Sequence, residues 1–296
     1  MMRNLDHAAT LAALPFEALT REVEHILDAA RRGHVHCPTR LAVPLPRDAV
    51  LLAMPAADTE IAVVKTVTVH PGNAAEGRPV VGAEVLVMDA RTGSRLGLID
   101  GEAVTAQRTA AVSVVAVRRL RPAHGRRLLV VGAGVQAAVH IQAFRECLGA
   151  GEVRIASRSP ARAQALADRV GAGVTSLDAA AVAWADLIVT ATTSVDPVLP
   201  DAVRDDAMVC GVGSFKATMA ELPASLIRRS HLAVDRLAPC MAEAGDLLRA
   251  GVDFARVVDL SDAMPVDTSR PAVFKSVGNA LWDLAAARCI ARQMGW

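Results

Sequence analysis

Apolar positions in the first part of the chain follow two different periods. Over residues 15–32 (PFEALTREVEHILDAARR), Phe16, Leu19, Val23, Ile26, Leu27 and Ala30 recur at helical spacing, which predicts an amphipathic helix. Short β-like runs follow at 41–43, 49–54, 61–69 and 80–89, separated by turn signals at 44–48, 55–58 and Pro71-Gly72-Asn73. Arg91-Thr92-Gly93-Ser94 reads as a hairpin turn before one more strand at 96–100. This is an antiparallel, strand-rich segment, consistent with an α+β domain. The run 102–120 (EAVTAQRTAAVSVVAVRRL) is a helix with little polar face after Arg108, expected to be buried against another element or a second subunit.

After a break at 122–125 the pattern changes. A short apolar strand at 127–131 runs into a glycine turn and then a helix at about 135–148. A strand at 153–156, a helix at 160–169, and apolar runs at 187–191 and 207–212 continue the alternation, with 231–234 and 256–260 as further strand candidates. Strands alternating with helices at this spacing imply βαβ units and a parallel sheet. The expected fold class is α/β, with a Rossmann-type doubly wound domain over 121–274. Beside it stands an α+β domain over 1–120, completed by a C-terminal helix from the segment 275–296.

Composition narrows the function. With 52% apolar and 21% charged residues in 296, the chain can bury a substantial core. A net charge of +1 gives no electrostatic reason to expect nucleic acid or an anionic membrane as partner. No stretch of about 18 uncharged apolar residues occurs, and Asp6, His7, Glu17, Arg21 and Glu22 interrupt any leader-like run. A cytoplasmic location is therefore expected. Cys37, Cys147, Cys210, Cys240 and Cys289 are scattered, without a C-x-x-C pair, and read as free thiols. His34 and His36 lack a third ligand nearby, so no metal is expected. Lysine occurs at three positions only, Lys65, Lys216 and Lys275, against 29 arginines, so each lysine raises a specific question.

The candidate chemistry starts at Gly132-Ala133-Gly134-Val135-Gln136-Ala137. This G-x-G-x-x-A follows the strand Leu128-Leu129-Val130-Val131 and opens a helix, the context in which such a turn binds a dinucleotide. Gly132 permits the turn, Gly134 admits a pyrophosphate, and Ala137 keeps helix and strand close, while free N–H groups at Val135 and Gln136 face the anion. At the end of the next strand an NAD enzyme usually carries an acid; here stand Ser157, Arg158 and Ser159. Two hydroxyls and a guanidinium suit a ribose 2′-phosphate, which favours NADPH over a weaker NADH. The competing reading of Arg158 is a surface turn. Thr190 and Thr192, and Val212 and Gly213, end later strands and are candidates for the ribose and nicotinamide regions.

Several stretches together resemble the ornithine cyclodeaminase/mu-crystallin family over about 38–287. They are VVKTVTVHPGN around Lys65, the Arg91-Thr92-Gly93 turn, Thr105-Ala106-Gln107-Arg108-Thr109-Ala110-Ala111, the GAGVQA turn and FKSVG. The resemblance implies a homodimer, which the apolar helix after Arg108 would suit. It also implies a substrate and dimerisation domain built from the N-terminal segment and the C-terminal helix. Carried over by position, it assigns the carboxylate-binding cations to Arg40, Lys65 and Arg108. Charge-assisted contacts suit a small imino or amino acid, and an unpaired charge at Arg108 in so apolar a helix would be costly. The other reading of Lys65 is a structural ion pair, and of Arg40 a surface arginine.

Two departures then separate this chain from the cyclodeaminases of that family. Those carry an aspartate where Ser214 stands and an acid where Ser157 stands. LLAMPAAD, Glu243-Ala244-Gly245-Asp246-Leu247-Leu248 and Met219-Ala220-Glu221-Leu222-Pro223 look like the cyclic ketimine reductases of the family. The expectation is NADPH-dependent reduction of Δ1-pyrroline-2-carboxylate to proline, of Δ1-piperideine-2-carboxylate to pipecolate, or both. Lys65 and Ser214 are the catalytic candidates: Lys65 as proton donor if neighbouring arginines lower its pKa, Ser214 as holder of a water. Ser276 is expected at the nicotinamide and Val277 at the substrate. The alternatives are an amino-acid dehydrogenase, a cyclodeaminase lyase and a non-catalytic NADPH-dependent binder. Ammonia-dependent NADPH oxidation, ammonia release without reductant, and cofactor binding without turnover would respectively identify them.

Overall fold

The computed structural model describes residues 3–296. Among these, no helix is long and apolar enough to cross a membrane. The chain divides into two compact units: residues up to Arg108 with Asn279–Trp296, and Thr109–Gly278. The division falls inside the long helix, not after it as expected from the 122–125 break.

The first unit begins with β1 (Arg3–Leu5), α1 (His7–Ala12) and α2 (Phe16–Arg31). Strands β2 (Leu41–Leu45), β3 (Ala49–Ala57), β4 (Ile61–Val69), β5 (Val81–Asp89) and β6 (Arg95–Asp100) follow, then the start of α3 (Gly101–Leu120). The six strands form one sheet in the order β1-β6-β5-β4-β3-β2, antiparallel apart from the β1–β6 pair. Strand alternation puts Met54, Lys65, Val85 and Ile99 in one cross-strand row, all buried. The C-terminal helix, Ala280–Met294, packs on β3, β4 and α2. On α2, Phe16, Leu19, Val23, Ile26 and Leu27 are buried, as their spacing predicts.

The turn expected at 55–58 is strand as far as Ala57. Pro55 is tolerated there because β2 pairs only as far as Ala53, leaving the missing N–H at an open edge. The hairpin turn after β5 is as expected: Asp89 accepts from the N–H groups of Arg91 and Thr92 (2.8 and 2.9 Å), and Gly93 takes a positive φ of 70°.

The second unit is a parallel, doubly wound sheet. It contains β7 (Arg127–Val131), α4 (Val135–Leu148), β8 (Glu152–Ala156), α5 (Pro160–Val170), β9 (Gly173–Val174), α6 (Ala179–Trp184) and β10 (Leu187–Thr190). It continues through β11 (Met208–Gly211), α7 (Ala224–Arg229), β12 (His231–Val234), α8 (Leu237–Glu243), α9 (Gly245–Arg249), β13 (Val257–Asp259) and β14 (Ala272–Lys275). The strand order is β13-β12-β14-β11-β10-β7-β8-β9. From β7 the chain winds outward to β9, then returns to the other side of β7 with β10. That reversal is the switch point at which such sheets bind ligands, beyond the carboxyl ends of β7 and β10.

Two expectations change in this unit. The 272–275 run, read from sequence only as part of the FKSVG stretch, is a fully buried strand between β11 and β12. The apolar part of α3, assigned above to a subunit contact among its options, is already covered. Residues from Ala110 to Val117 are at most 1% exposed in the single chain, so they offer no free surface to a partner.

Candidate active site

The glycine turn stands at the switch point. Gly132 has φ of 121°, and a Cβ there would meet the backbone oxygen of Ala191 at 2.6 Å. Only glycine lets the loops after β7 and β10 approach this closely. A Cβ at Gly134 would enter open space, the room a pyrophosphate needs. Gly134 also caps α4 without a side-chain hydrogen bond, so the first N–H groups of a 14-residue helix carry no side-chain cap. These features fit a dinucleotide. Val135 is 69% exposed beside the turn, and Gln136 is partly buried. At the end of β8, Ser159 caps α5 by accepting from the Arg162 N–H, and its own N–H donates to the Ser157 hydroxyl at 3.3 Å. Arg158 is exposed, and no described group pairs with its guanidinium.

The loops on the other side of the switch point are held by buried carboxylates that sequence reasoning did not single out. Glu221 is fully buried; one oxygen accepts from the Thr192 N–H (2.6 Å), the other from those of Gly213 (2.7 Å) and Ser214 (3.2 Å). It thereby ties the loop after β10 to the loop after β11. Asp246 accepts from the N–H groups of Glu221 and Leu222 (2.6 and 2.8 Å), from the Ser214 hydroxyl, and pairs with Lys275 at 3.1 Å. Burial alone would raise its pKa, but the Lys275 charge and the hydrogen bonds outweigh it and hold the carboxyl below its ordinary range. Lys275 is fully buried and donates to Gly211 O, Ser214 O and Ser214 Oγ. Asp235, at the end of β12, accepts from Ser276 Oγ at 2.8 Å and from the Gly278 N–H at 2.9 Å.

Three expected residues have surroundings that the sequence did not show. Ser214 is fully buried, its one O–H committed to Asp246 and a lone pair to Lys275. Val277 is 7% exposed and packs in the hydrophobic core of the unit instead of standing free for a substrate. Ser276 is buried, its hydroxyl donating to Asp235 and its N–H to Gly211 O. Thr190 keeps a buried hydroxyl without a hydrogen-bond partner at the end of β10, while Thr192 and Val212 are partly exposed.

In the first unit the structure brings Lys65 and Arg108 together around a carboxylate absent from the expectations. Asp283, in the first turn of the C-terminal helix, places Oδ1 3.1 Å from Lys65 Nζ and 3.7 Å from Arg108 Nε. Lys65 Nζ also donates to Thr105 Oγ1, whose own hydroxyl donates to Gly101 O at 2.7 Å. The side chains of Lys65, Arg108 and Asp283 are 3%, 8% and 0% exposed, so these charges meet almost out of water. Arg40 is half-buried and immediately precedes β2, whose first residue Leu41 pairs with Ala53 beside Met54. That register puts Arg40 at the edge of the row containing Lys65. The signal that could have located Asp283 is its setting, a lone acid in the apolar run ALWDLAAA.

Among the described residues no group of three His, Cys, Asp or Glu side chains stands together at metal-binding geometry. The five cysteines are free thiols, and burial pushes those of Cys240 and Cys289 up, the latter to about 12.

A model of the ornithine cyclodeaminase/mu-crystallin family matches residues 5–294. The chain belongs to this family. It is similar to Delta(1)-pyrroline-2-carboxylate reductase 1 of Burkholderia multivorans, 40% identical over 291 residues that cover 96% of this chain and 93% of the relative. It is also similar to the ketimine reductase mu-crystallin of Mus musculus, 36% identical over 266 residues, covering 87% and 85%. Among solved structures, Thermococcus litoralis Delta(1)-pyrroline-2-carboxylate reductase, in complex with NADH and L-proline, aligns over 99% of this chain and 97% of its own. Its TM-score is 0.89, at 25% identity. Family membership agrees with the resemblance drawn from the motifs.

Proposed function

We propose that this chain is an NADPH-dependent reductase of cyclic ketimine acids, converting Δ1-pyrroline-2-carboxylate to proline and Δ1-piperideine-2-carboxylate to pipecolate. The observation that carries the reading is the Lys65–Arg108–Asp283 cluster: two cations share one carboxylate, leaving one positive charge for the carboxylate of a substrate. The names of its relatives, reductases of these ketimines, supply the substrate class.

A dinucleotide held by the glycine turn would supply a hydride for the imine carbon, and a proton delivered to the ring nitrogen would give the secondary amine. Lys65 and Arg108, with Arg40 at the edge of the same row, fix the substrate carboxylate by charge-assisted contacts and so orient the C=N bond. Lys65 is the cation of this cluster able to give up a proton and is the assigned donor. Gly132, Gly134, Val135 and Gln136 would hold the pyrophosphate, and Thr190, Thr192, Val212, Gly213 and Ser276 would border the ribose and nicotinamide. Ser214 acts with Lys275 and Asp246 to hold the loop after β11 in shape.

The preference for NADPH rests on the exposed, unpaired Arg158 and the absence of an acid at Ser157. A cytoplasmic homodimer completes the reading. Its contact is assigned to the outer face of the six-stranded sheet, where Leu98, Leu86, Val64 and Pro55 form a cross-strand row of partly exposed apolar residues.

NADPH oxidation followed at 340 nm with each ketimine, with NADH in parallel, tests the reading. Turnover with either ketimine, faster with NADPH, is expected. Cofactor binding without turnover would turn the assignment to a binder, and ammonia-dependent oxidation with pyruvate to a dehydrogenase.

A further inference from the structure

The carboxylate at the centre of the cation cluster has a geometry that a simple structural ion pair does not need. Asp283 is fully buried, and its Oδ1 faces both Lys65 and Arg108, whereas its Oδ2 has no hydrogen-bond partner. Arg108 Nε is likewise buried without a hydrogen-bond partner. A cluster built only for stability would be expected to satisfy such atoms, because each orphaned charged group costs free energy. Here the unsatisfied atoms lie on two residues of one cluster, where charge is also left over.

The surroundings of Lys65 limit what can control it. On the neighbouring strands of its row stand Met54 and Val85, both apolar and buried. The charged groups that face it are Arg108 from α3 and Asp283 from the C-terminal helix, with the neutral Thr105 hydroxyl beside them. Among the described residues, Asp283 is thus the anion that answers two buried cations.

We propose that Asp283 is a positioning residue for the reductase function: it pins the Lys65 ammonium between α3 and the C-terminal helix, so that one substrate carboxylate completes the charge balance of the cluster. This rests on the ketimine reductase reading for its substrate, not for its geometry. Burial pushes Lys65 below the ordinary lysine range; Asp283 pulls it back up, and Arg108 lowers it again. Removing the carboxylate charge leaves the two lowering influences unopposed. Lys65 then loses its proton at lower pH, and the site loses its hold on an anion from the alkaline side first.

The test is the pH profile of kcat/KM for Δ1-pyrroline-2-carboxylate in wild type and Asp283→Asn. The alkaline limb is expected to move down by roughly one pH unit or more. The loss of about tenfold or more at pH 9 then shrinks to within about threefold at pH 6. A loss by the same factor at every pH, or an unmoved limb, would mean a merely structural role and overturn the proposal.

A second measurement needs no substrate. With three lysines in the chain, a 15N-lysine spectrum resolves few signals, and the one missing in Lys65→Arg belongs to Lys65. Its titration should move to lower pH in Asp283→Asn; an unchanged titration overturns the proposal. Should Asp283→Asn not fold, the wild-type titration with cofactor bound should coincide with the wild-type kinetic limb, and a separation of more than about one unit would contradict it. Absence of ketimine turnover by the wild type would sink the functional reading while leaving the titration arm to decide this one.

Discussion

The two units handle charge by opposite means. In the doubly wound unit, the candidate dinucleotide surface is mostly backbone: glycines with room for an anion, uncapped N–H groups of α4, and loops whose N–H groups are gathered by Glu221, Asp246 and Asp235. In the strand-rich unit the candidate substrate surface is made of side-chain charges, Lys65, Arg108 and Asp283, meeting almost out of water. A backbone site depends on close approach and on the carboxylates that gather its N–H groups. A buried side-chain site tolerates backbone adjustment but not the loss of one charge, since the partners left behind are stranded. Each unit should therefore fail in its own way.

The largest effect is expected where one charge is removed. Arg108→Ala should lower kcat/KM for the ketimine by roughly ten- to hundredfold, as a charged hydrogen bond is worth about 1.5–3 kcal/mol, with the cofactor Kd little changed. Steady-state kinetics beside a fluorescence titration with NADPH would show it; a loss within threefold, or an equal loss in cofactor binding, would blur the division between the units.

Gly132→Ala should act in the mirror sense. Its φ of 121° and the Ala191 oxygen at 2.6 Å force the loops apart, at a cost of about 1–3 kcal/mol, read as a weaker cofactor Kd and a lower Tm. Glu221→Gln should also lower Tm, by a change worth about 1–3 kcal/mol, because an amide NH2 would confront a backbone N–H that the carboxylate now accepts. The smallest effect sharpens the comparison: Arg158→Ala should leave NADH kinetics alone and reduce the preference for NADPH by about tenfold. Paired kcat/KM values for both cofactors measure it, and an unchanged ratio would assign Arg158 to the surface.

The same contrast explains what the sequence made legible. A backbone site is local: strand, glycines and helix start lie within residues 127–137, so the dinucleotide turn and the helix from Val135 to Leu148 could be placed at once. The carboxylates behind it were not legible, because Glu221 and Asp246 act at a distance on backbone N–H groups that carry no residue-type signal. The side-chain cluster was half legible. Lys65 and Arg108 were assigned through the family resemblance and stand in apolar runs, whereas Asp283 lies 218 residues from Lys65 and joins it through packing of the C-terminal helix. The same cause hid β14, a four-residue run too short for periodicity, whose place between β11 and β12 is set by sheet topology. The commitment of Ser214 to Lys275 and Asp246 was not legible either, because it depends on residues far along the chain.

The central claim, that the Lys65–Arg108 pair exists to hold a substrate carboxylate, is tested most directly by changing protein and substrate together. The measurement is kcat/KM with NADPH for wild type and Arg108→Ala, each on Δ1-pyrroline-2-carboxylate and on Δ1-pyrroline, which lacks the carboxylate. Wild type should favour the carboxylated ring by roughly a hundredfold, and Arg108→Ala should erase most of that preference while leaving the decarboxylated ring nearly unaffected. An equal loss on both substrates would contradict the claim and leave Arg108 as a structural partner of Asp283.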